Sequence, residues 1–293
     1  MSKKLYLIRY AVLKIFVSVL LLFLVISRLR DGGISDVFRS LDYSLIPFVM
    51  ICIILNSVFR AYRLRGIVSA KDNEKLDVGF LTKLYLASAF YNIQKLFTKS
   101  PENVLDQIGN KLKSEAAAKL AISVEKLFDH IILFTILGIG IGYKVHSWVL
   151  LVFAWVIAGA YLLVWFSKST ASLQKIFSYF AHYKNKKGVF VQTVFLSVLI
   201  QLVNVVIQFV LFTSLGYTIP IFFAFASISL ITLVVGHIPS LNGLGVQALL
   251  NVALYSLIGI PMEVSFVAAL LYHVTGFLIS LLSVIIFKGK RSK

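Results

Sequence analysis

Apolar residues in this chain come in long blocks separated by short basic or mixed-charge stretches. The blocks run over 10–27, a second around Cys52, 79–97, 116–143, 147–166, 189–213, 219–237, 243–259 and 264–287. Several reach the roughly 20 residues needed to cross a bilayer as a helix. The pattern predicts an all-α polytopic membrane helix bundle. One place breaks the rule of plain apolar helix: Gly236-His237-Ile238-Pro239-Ser240-Leu241-Asn242-Gly243-Leu244-Gly245 interrupts the last third of the chain. Backbone freed from helical pairing at membrane depth is tolerated only where it is buried in protein or lines a wet cavity. The break therefore marks a candidate site, although a simple turn between two helices uses the same residue types.

Composition agrees with the pattern. Hydrophobic residues make up 59% of the chain and charged residues 14%, and the mean hydropathy is +0.91. The first block follows Lys3, Lys4 and Arg9 without a small-residue cleavage site, so it reads as a retained helix rather than a signal peptide. The net charge of +17 is spread over loops beside the apolar blocks, which points to anionic lipid headgroups and not to nucleic acid. Cys52 is the only cysteine, so neither an internal disulfide nor a cysteine metal site can form. No separate linker or repeat divides residues 1–293, which are read as a single integral membrane domain.

Charge also sets an expected orientation in a cytoplasmic (inner) membrane. The basic N-terminus, the loop with Arg60, Arg63, Arg65, Lys71 and Lys75, the lysine-rich stretch 168–187 and the tail Lys288 to Lys293 all read as cytoplasmic. The loop from Arg28 to Asp42 balances its charges and reads as external. Parity then excludes one of the three blocks between Arg65 and Lys175. The block at 79–97, interrupted by Lys83, Asn92 and Lys95, is the weakest, so 79–113 is predicted to dip in and return. The count becomes about eight spans plus one re-entrant or interfacial element. An alternative makes 236–259 re-entrant as well. Leu173, Ile176, Phe177 and Phe180 among lysines predict an amphipathic surface helix over 168–187.

Chemistry is concentrated in two places. In Glu125-Lys126-Leu127-Phe128-Asp129-His130 the two acids lie four apart on one helix face. Ionisable groups in a membrane need partners. Lys126 is placed to neutralise Asp129, which leaves Glu125 to Arg60 or Arg63. The cluster reads either as a salt bridge near the interface or as a polar lining for a charged substrate. At the break, a helix restarting at Asn242 would offer the amides of Gly243, Leu244 and Gly245 to a phosphate or carboxylate. Gln201, Asn204 and Gln208 share a face as interhelical glue or a cavity wall. His237 and His273 could meet at the break, but the histidines lack ligand spacing, so no metal is expected. No nucleotide motif is present and no cofactor is expected.

These residues resemble a family. Pro239-x-x-x-Gly243-Leu244-Gly245-Val246, then Leu257-x-Gly259-Ile260-Pro261 and Ala268-Ala269-Leu270-Leu271-Tyr272-His273, are similar to the C-terminal signature of the lysylphosphatidylglycerol synthase transmembrane-domain family, a group of flippase-like membrane proteins. Glu125-Lys126-Leu127-Phe128-Asp129 resembles its Glu-Arg-x-x-Asp helix with lysine for arginine, and Arg60-Ala61-Tyr62-Arg63 resembles the basic end of its second span. The chain departs from the family in two ways. Gln247-Ala248 stands where an acid usually follows Gly-Leu-Gly, and the stretch from Asn92 to Lys113 lacks the family's Pro-Gly-x-x-Gly element. The chain ends just after its last span, so it is expected to lack the soluble aminoacyl-transferase domain.

The resemblance implies movement of an anionic phospholipid or polyprenyl-linked lipid between leaflets, and without a nucleotide motif any energy source would be a gradient or the lipid's own concentration difference. The expected substrate-binding residues are Asn242, Gly243, Leu244, Gly245, Glu125, Asp129, Arg60, Arg63 and Lys126. Two other readings stand beside transport. One is an intramembrane lipid-phosphate sugar transferase with Glu125 or Asp129 as general base. The other is a non-catalytic membrane partner of a cell-envelope enzyme.

Overall fold

The computed structural model describes residues 3–30, 33–72, 76–97, 104–145 and 186–288, and every regular element among them is helical. The apolar block 147–166 and the expected surface helix up to residue 185 lie outside the described residues. The helices are α1 (Lys3–Ile26), α2 (Gly33–Arg39), α3 (Ile46–Asp72), α4 (Val78–Phe97), α5 (Val104–Lys111), α6 (Glu115–Val145), α7 (Lys187–Ser214), α8 (Ile221–Val235), α9 (Leu244–Tyr255) and α10 (Met262–Lys288). Segments 43–70, 187–214 and 262–286 are long and apolar enough to cross a membrane. The chain is a membrane protein with an all-α bundle.

Large apolar side chains face outward along single stripes: Val12, Phe16, Val19 and Phe23 on α1, and Val274, Leu278, Leu282 and Ile285 on α10. Asn56, Arg63, Glu125, Gln201 and Gln208 are turned inward. This is the distribution hydrocarbon demands, because polar groups find partners only inside the bundle.

Hydrogen bonds identify the two ends of the bundle. At one end the Asp42 amide donates to the Ser214 carbonyl at 2.8 Å, and the Arg30 amide donates to Glu263 Oε1 at 3.1 Å. There Asp42 also accepts from the hydroxyl and amide of Ser44 at the entry to α3, which holds its carboxyl below the usual range. At the opposite end Lys186 Nζ donates to the Ser69 carbonyl at 2.8 Å. Helices α3 and α7 therefore run antiparallel along the length of the bundle.

Two large apolar clusters fill most of the interior. Leu64, Ile67, Leu81, Ile108, Ala118 and Val124 join α3, α4, α5 and α6 toward the Lys186 end. Val25, Phe212, Ile228, Tyr255, Ile260 and Val267 join α1, α7, α8, α9 and α10 toward the Asp42 end. The start of α4 and the short α5 share the first cluster, so both ends of segment 79–113 lie at one end of the bundle. Between them α4 rises until Phe90 N donates to Ser280 Oγ on α10.

Helices α8 and α9 form a hairpin. The Tyr255 hydroxyl at the end of α9 lies 2.9 Å from Ser227 Oγ, and its ring packs on Phe223 near the start of α8. With 15 and 12 residues these helices span about 22 and 18 Å, short of the roughly 30 Å hydrocarbon core. The blocks at 219–237 and 243–259, each expected as a span, form apolar helices shorter than the segments 43–70, 187–214 and 262–286. The breakers at 236–243 turn the chain back, with Gly236, His237, Ile238 and Asn242 exposed and Ser240 and Gly243 buried.

The turn is held by its neighbours. Leu241 N donates to Ser18 Oγ of α1 at 2.7 Å, and Asn242 Nδ2 donates to the Ala89 carbonyl of α4 at 3.2 Å. Gly243 has φ +84°. Gly245 lets α9 lie directly on α1: a Cβ there would sit 2.7 Å from the Ser18 carbonyl oxygen and 2.9 Å from Leu21 Cβ. Gly245→Val is expected to lower unfolding stability in detergent by about 1–3 kcal/mol through forced separation of α1 and α9. Gly188→Ala, whose Cβ would meet nothing, should leave it unchanged or slightly raised. Thermal or denaturant unfolding of the two variants beside the parent checks this.

Candidate functional site

Asn56, Arg60 and Arg63 fall four and three residues apart on α3, so one face carries all three toward the bundle interior. Arg63 is completely buried. Its Nη2 donates to Glu125 Oε1 at 2.8 Å and to Asp129 Oδ2 at 3.0 Å, and its Nη1 donates to Asp129 Oδ1 at 2.6 Å and to Ser197 Oγ at 3.0 Å. The acids lie one helical turn apart on α6, a spacing that lets one planar guanidinium serve both. Tyr85 of α4 donates its hydroxyl to Glu125 Oε2 at 2.8 Å. Four helices thus meet at one guanidinium.

The pairing differs from the sequence expectation in one respect. Lys126 was placed to neutralise Asp129, but Lys126 is exposed, and its carbonyl lies against His130 Nδ1. Arg63 takes both acids. A bonded trio of one cation and two carboxylates carries one excess negative charge. Arg60, one turn away on α3, lies close enough for its charge to bear on Asp129, Tyr85 and Tyr272. The four groups together are neutral.

A carboxamide chain continues from the ion cluster. Asn56 Nδ2 donates to Asn204 Oδ1 at 2.9 Å and to the Ile200 carbonyl at 3.2 Å, and Asn204 Nδ2 donates to Gln201 Oε1 at 3.0 Å. These groups border a cavity of about 680 Å³ within the bundle, a volume ordinary for a small-molecule site. Its apolar wall comes mainly from α8 and α10. Its polar wall includes Asn56, Arg60, Tyr85, Asn204, Gln208 and Asn242. Arg60 forms no ion pair among the described residues, and its buried Nε has no hydrogen-bond partner.

The structure distributes the sequence candidates over three settings. Arg63, Glu125 and Asp129 form the ion cluster beside the cavity, connected to it by Tyr85. Arg60, Asn242 and Leu244 line the cavity itself. Gly243 packs against the Val235 side chain and Gly245 against α1, so both serve chain packing at the turn. Leu244 N already donates to the Leu241 carbonyl at 3.0 Å. The break still reaches the cluster's neighbourhood: the His237 ring lies 5.6 Å from that of His130, next to Asp129, and Asn242 accepts from Asn92 Nδ2 at 3.1 Å. His273 stands apart, edge-on to Tyr272.

Sequence reasoning missed Tyr85, Ser197 and Asn56. Asn56 carried a signal, being a carboxamide one turn from Arg60 inside an apolar run. Tyr85 and Ser197 had none, because either residue is common in such helices and their role depends on which helices meet.

Residues 110–283, more than half of the chain, match the family model described as lysylphosphatidylglycerol synthase TM region. Comparison with curated proteins and with solved structures returns no match.

Removing one partner of a buried ion pair strands the others without water. Arg63→Met is expected to destabilise the protein by about 3–5 kcal/mol, measured as chemical unfolding in detergent. The triple change Arg63→Met, Glu125→Gln, Asp129→Asn should recover most of that loss. Equal damage by the single and triple changes would show that packing, and not charge compensation, is what Arg63 supplies.

Proposed function

The chain belongs to the lysylphosphatidylglycerol synthase transmembrane-region family, a membrane family in lipid-related processes, and on that premise we propose that it moves an anionic phospholipid or polyprenyl-linked lipid between leaflets. The observation that carries the reading is Arg60: a guanidinium without an ion-pair partner among the described residues, lining a cavity whose other lining residues are apolar or carry carboxamide, hydroxyl or imidazole groups. Charges at membrane depth are costly, and one left facing a cavity suits an anionic group that arrives and leaves. Acyl chains stay in the lipid while the headgroup passes between Arg60 and Asn242.

Three further features support transport over covalent chemistry. All four carboxylate oxygens of Glu125 and Asp129 are engaged by Arg63 and Tyr85, which leaves neither of these two acids a free base for a transferase. The α8–α9 turn borders the cavity through Asn242, whose side chain meets Ala89 and Asn92 of α4 by hydrogen bonds. The end at which α3 finishes and α6 and α7 begin carries Arg65, Lys111, Lys113, Lys119, Lys186 and Lys187. Under the positive-inside rule that end faces the cytoplasm of a cell whose inner membrane holds the protein, and both termini are then cytoplasmic.

Leaflet exchange in proteoliposomes tests the proposal, with fluorescent phosphatidylglycerol and a short-chain polyprenyl phosphate as probes. Exchange of one of them should depend on the protein and fall at least about tenfold in Arg60→Gln, the size of one lost charge-assisted contact. Exchange that is insensitive to Arg60→Gln in folded protein would remove the cavity from the pathway. No protein-dependent exchange of either probe would favour the partner-protein reading.

A further inference from the structure

Two histidines that meet at the break lie outside the cavity lining. His130 of α6 and His237, which follows α8, stand edge to face with ring centroids 5.6 Å apart. Each ring sets its Nδ1 against the carbonyl oxygen four residues earlier, that of Lys126 at 2.6 Å for His130 and that of Leu233 at 2.5 Å for His237. A carbonyl can only accept, so each Nδ1 carries a proton. Any further proton goes to Nε2 and makes that ring a cation.

Helices α6 and α8 run antiparallel, and their two ends are held differently. At one end Gly140 lies so close to α8 that a Cβ there would sit 2.8 Å from the Phe222 carbonyl oxygen and 2.9 Å from Ala226 Cβ. Leu133, Phe134 and Leu233 pack between the helices farther along. At the other end the two rings meet, and the chain just beyond them is the turn whose Leu241, Asn242 and Leu244 line the cavity. A change at the rings therefore moves a cavity wall while the glycine end stays in place. Gly236, His237, Ile238 and Asn242 are exposed. Turn backbone cannot stand against hydrocarbon, so this face meets water and His237 exchanges protons with it.

The surrounding charges decide what a proton does. On α6 itself Lys126 and Asp129 lie beside His130. From α3, Arg63 binds both oxygens of Asp129, and Arg60 adds its charge nearby. Ser197 and Gln201 of α7 are neutral. Helix α5 packs on α6 around Glu115 and Ala118, and Ala118 is about 18 Å along the helix from His130. The turn is met by Ala89 and Asn92 of α4, both neutral, and by Ser18 of α1, with Lys14 one turn before it. Helix α9 carries no charged residue. A first proton thus puts one cation beside a neutral ring. A second puts two cations side by side near Lys126, while the carboxylate next to them is already neutralised by Arg63.

We propose that His130 and His237 form an acid-sensitive latch, which holds the α8–α9 turn against α6 while the rings are neutral and releases it, with the cavity wall that carries Asn242, when both are protonated. Histidine is the side chain that titrates between about pH 5 and 8 without perturbation, and repulsion within histidine clusters switches interfaces in other pH sensors. The latch does not depend on what the cavity carries.

Distances between spin labels test it in the purified full chain. On a Cys52→Ser background, Ser123→Cys with Ile238→Cys reports the latch end, and Ile139→Cys with Ile221→Cys, at two exposed positions, reports the glycine end. From pH 8 to pH 5 the first distance should lengthen by about 2 Å or more, the scale of helix shifts at interfaces, and the second should stay fixed. His130→Phe and His237→Phe each keep a ring at the contact and should each abolish the change. Because His237 is exposed, His237→Gln supplies a second neutral variant without added apolar surface, and it should do the same. An unchanged first distance in the parent would overturn the latch, as would a change that persists in the histidine variants. Either result leaves the Arg60 reading of the cavity standing, since the readout is a distance and not lipid movement.

Discussion

A guanidinium inside a membrane bundle is stable only if its charge and its donors are met on all sides. Arg63 is met by Glu125 and Asp129 from α6 and by Ser197 from α7, and Tyr85 from α4 closes the second face of Glu125. Because these bonds replace water that is absent, the cluster fixes the depth and rotation of four helices relative to one another. Around it the contacts are apolar and less directional. Leu64, Val124 and Leu81 fill space, whereas the ion cluster decides which turn of one helix faces which turn of the next.

The hairpin of α8 and α9 depends on that frame. Its turn contains helix breakers whose backbone groups would be intolerable against lipid. Ser18 of α1 accepts from the Leu241 amide, Gly245 allows α1 close enough for it to do so, and Ala89 and Asn92 of α4 meet the Asn242 side chain. The cavity lies beside the two short helices of the hairpin, and the guanidinium that lines it comes from α3.

Arg60 and Arg63 illustrate how three residues of spacing separate two roles. Arg63 is consumed by two carboxylates and acts as a structural cation. Arg60, one turn on, borders open volume and balances the residual negative charge of its neighbours without bonding to them. Under the proposed transport, an anionic headgroup at Arg60 would meet a group that is neutral as a whole, which favours reversible occupancy over permanent capture.

The block pattern of apolar residues by itself determined the solvent, the all-helical class and the approximate element positions, because twenty-residue apolar runs have one inexpensive conformation in hydrocarbon. It also located Glu125, Asp129, Arg60, Arg63 and the break, since polar residues and breakers at membrane depth stand out against such a background. Partner choice was not legible: Lys126 was nearer to Asp129 in sequence, yet only the packing of α3 against α6 could show that Arg63 occupies both acids and that Lys126 points outward. The glycines at the break read as open backbone in the sequence, and only the placement of Val235 and α1 revealed that they serve close packing. Tyr85, Gln208 and His273 came to line one cavity only when α4, α7 and α10 came around the same space. Local sequence fixes what a residue needs, whereas which neighbour meets that need is a long-range matter that the tertiary arrangement alone decides.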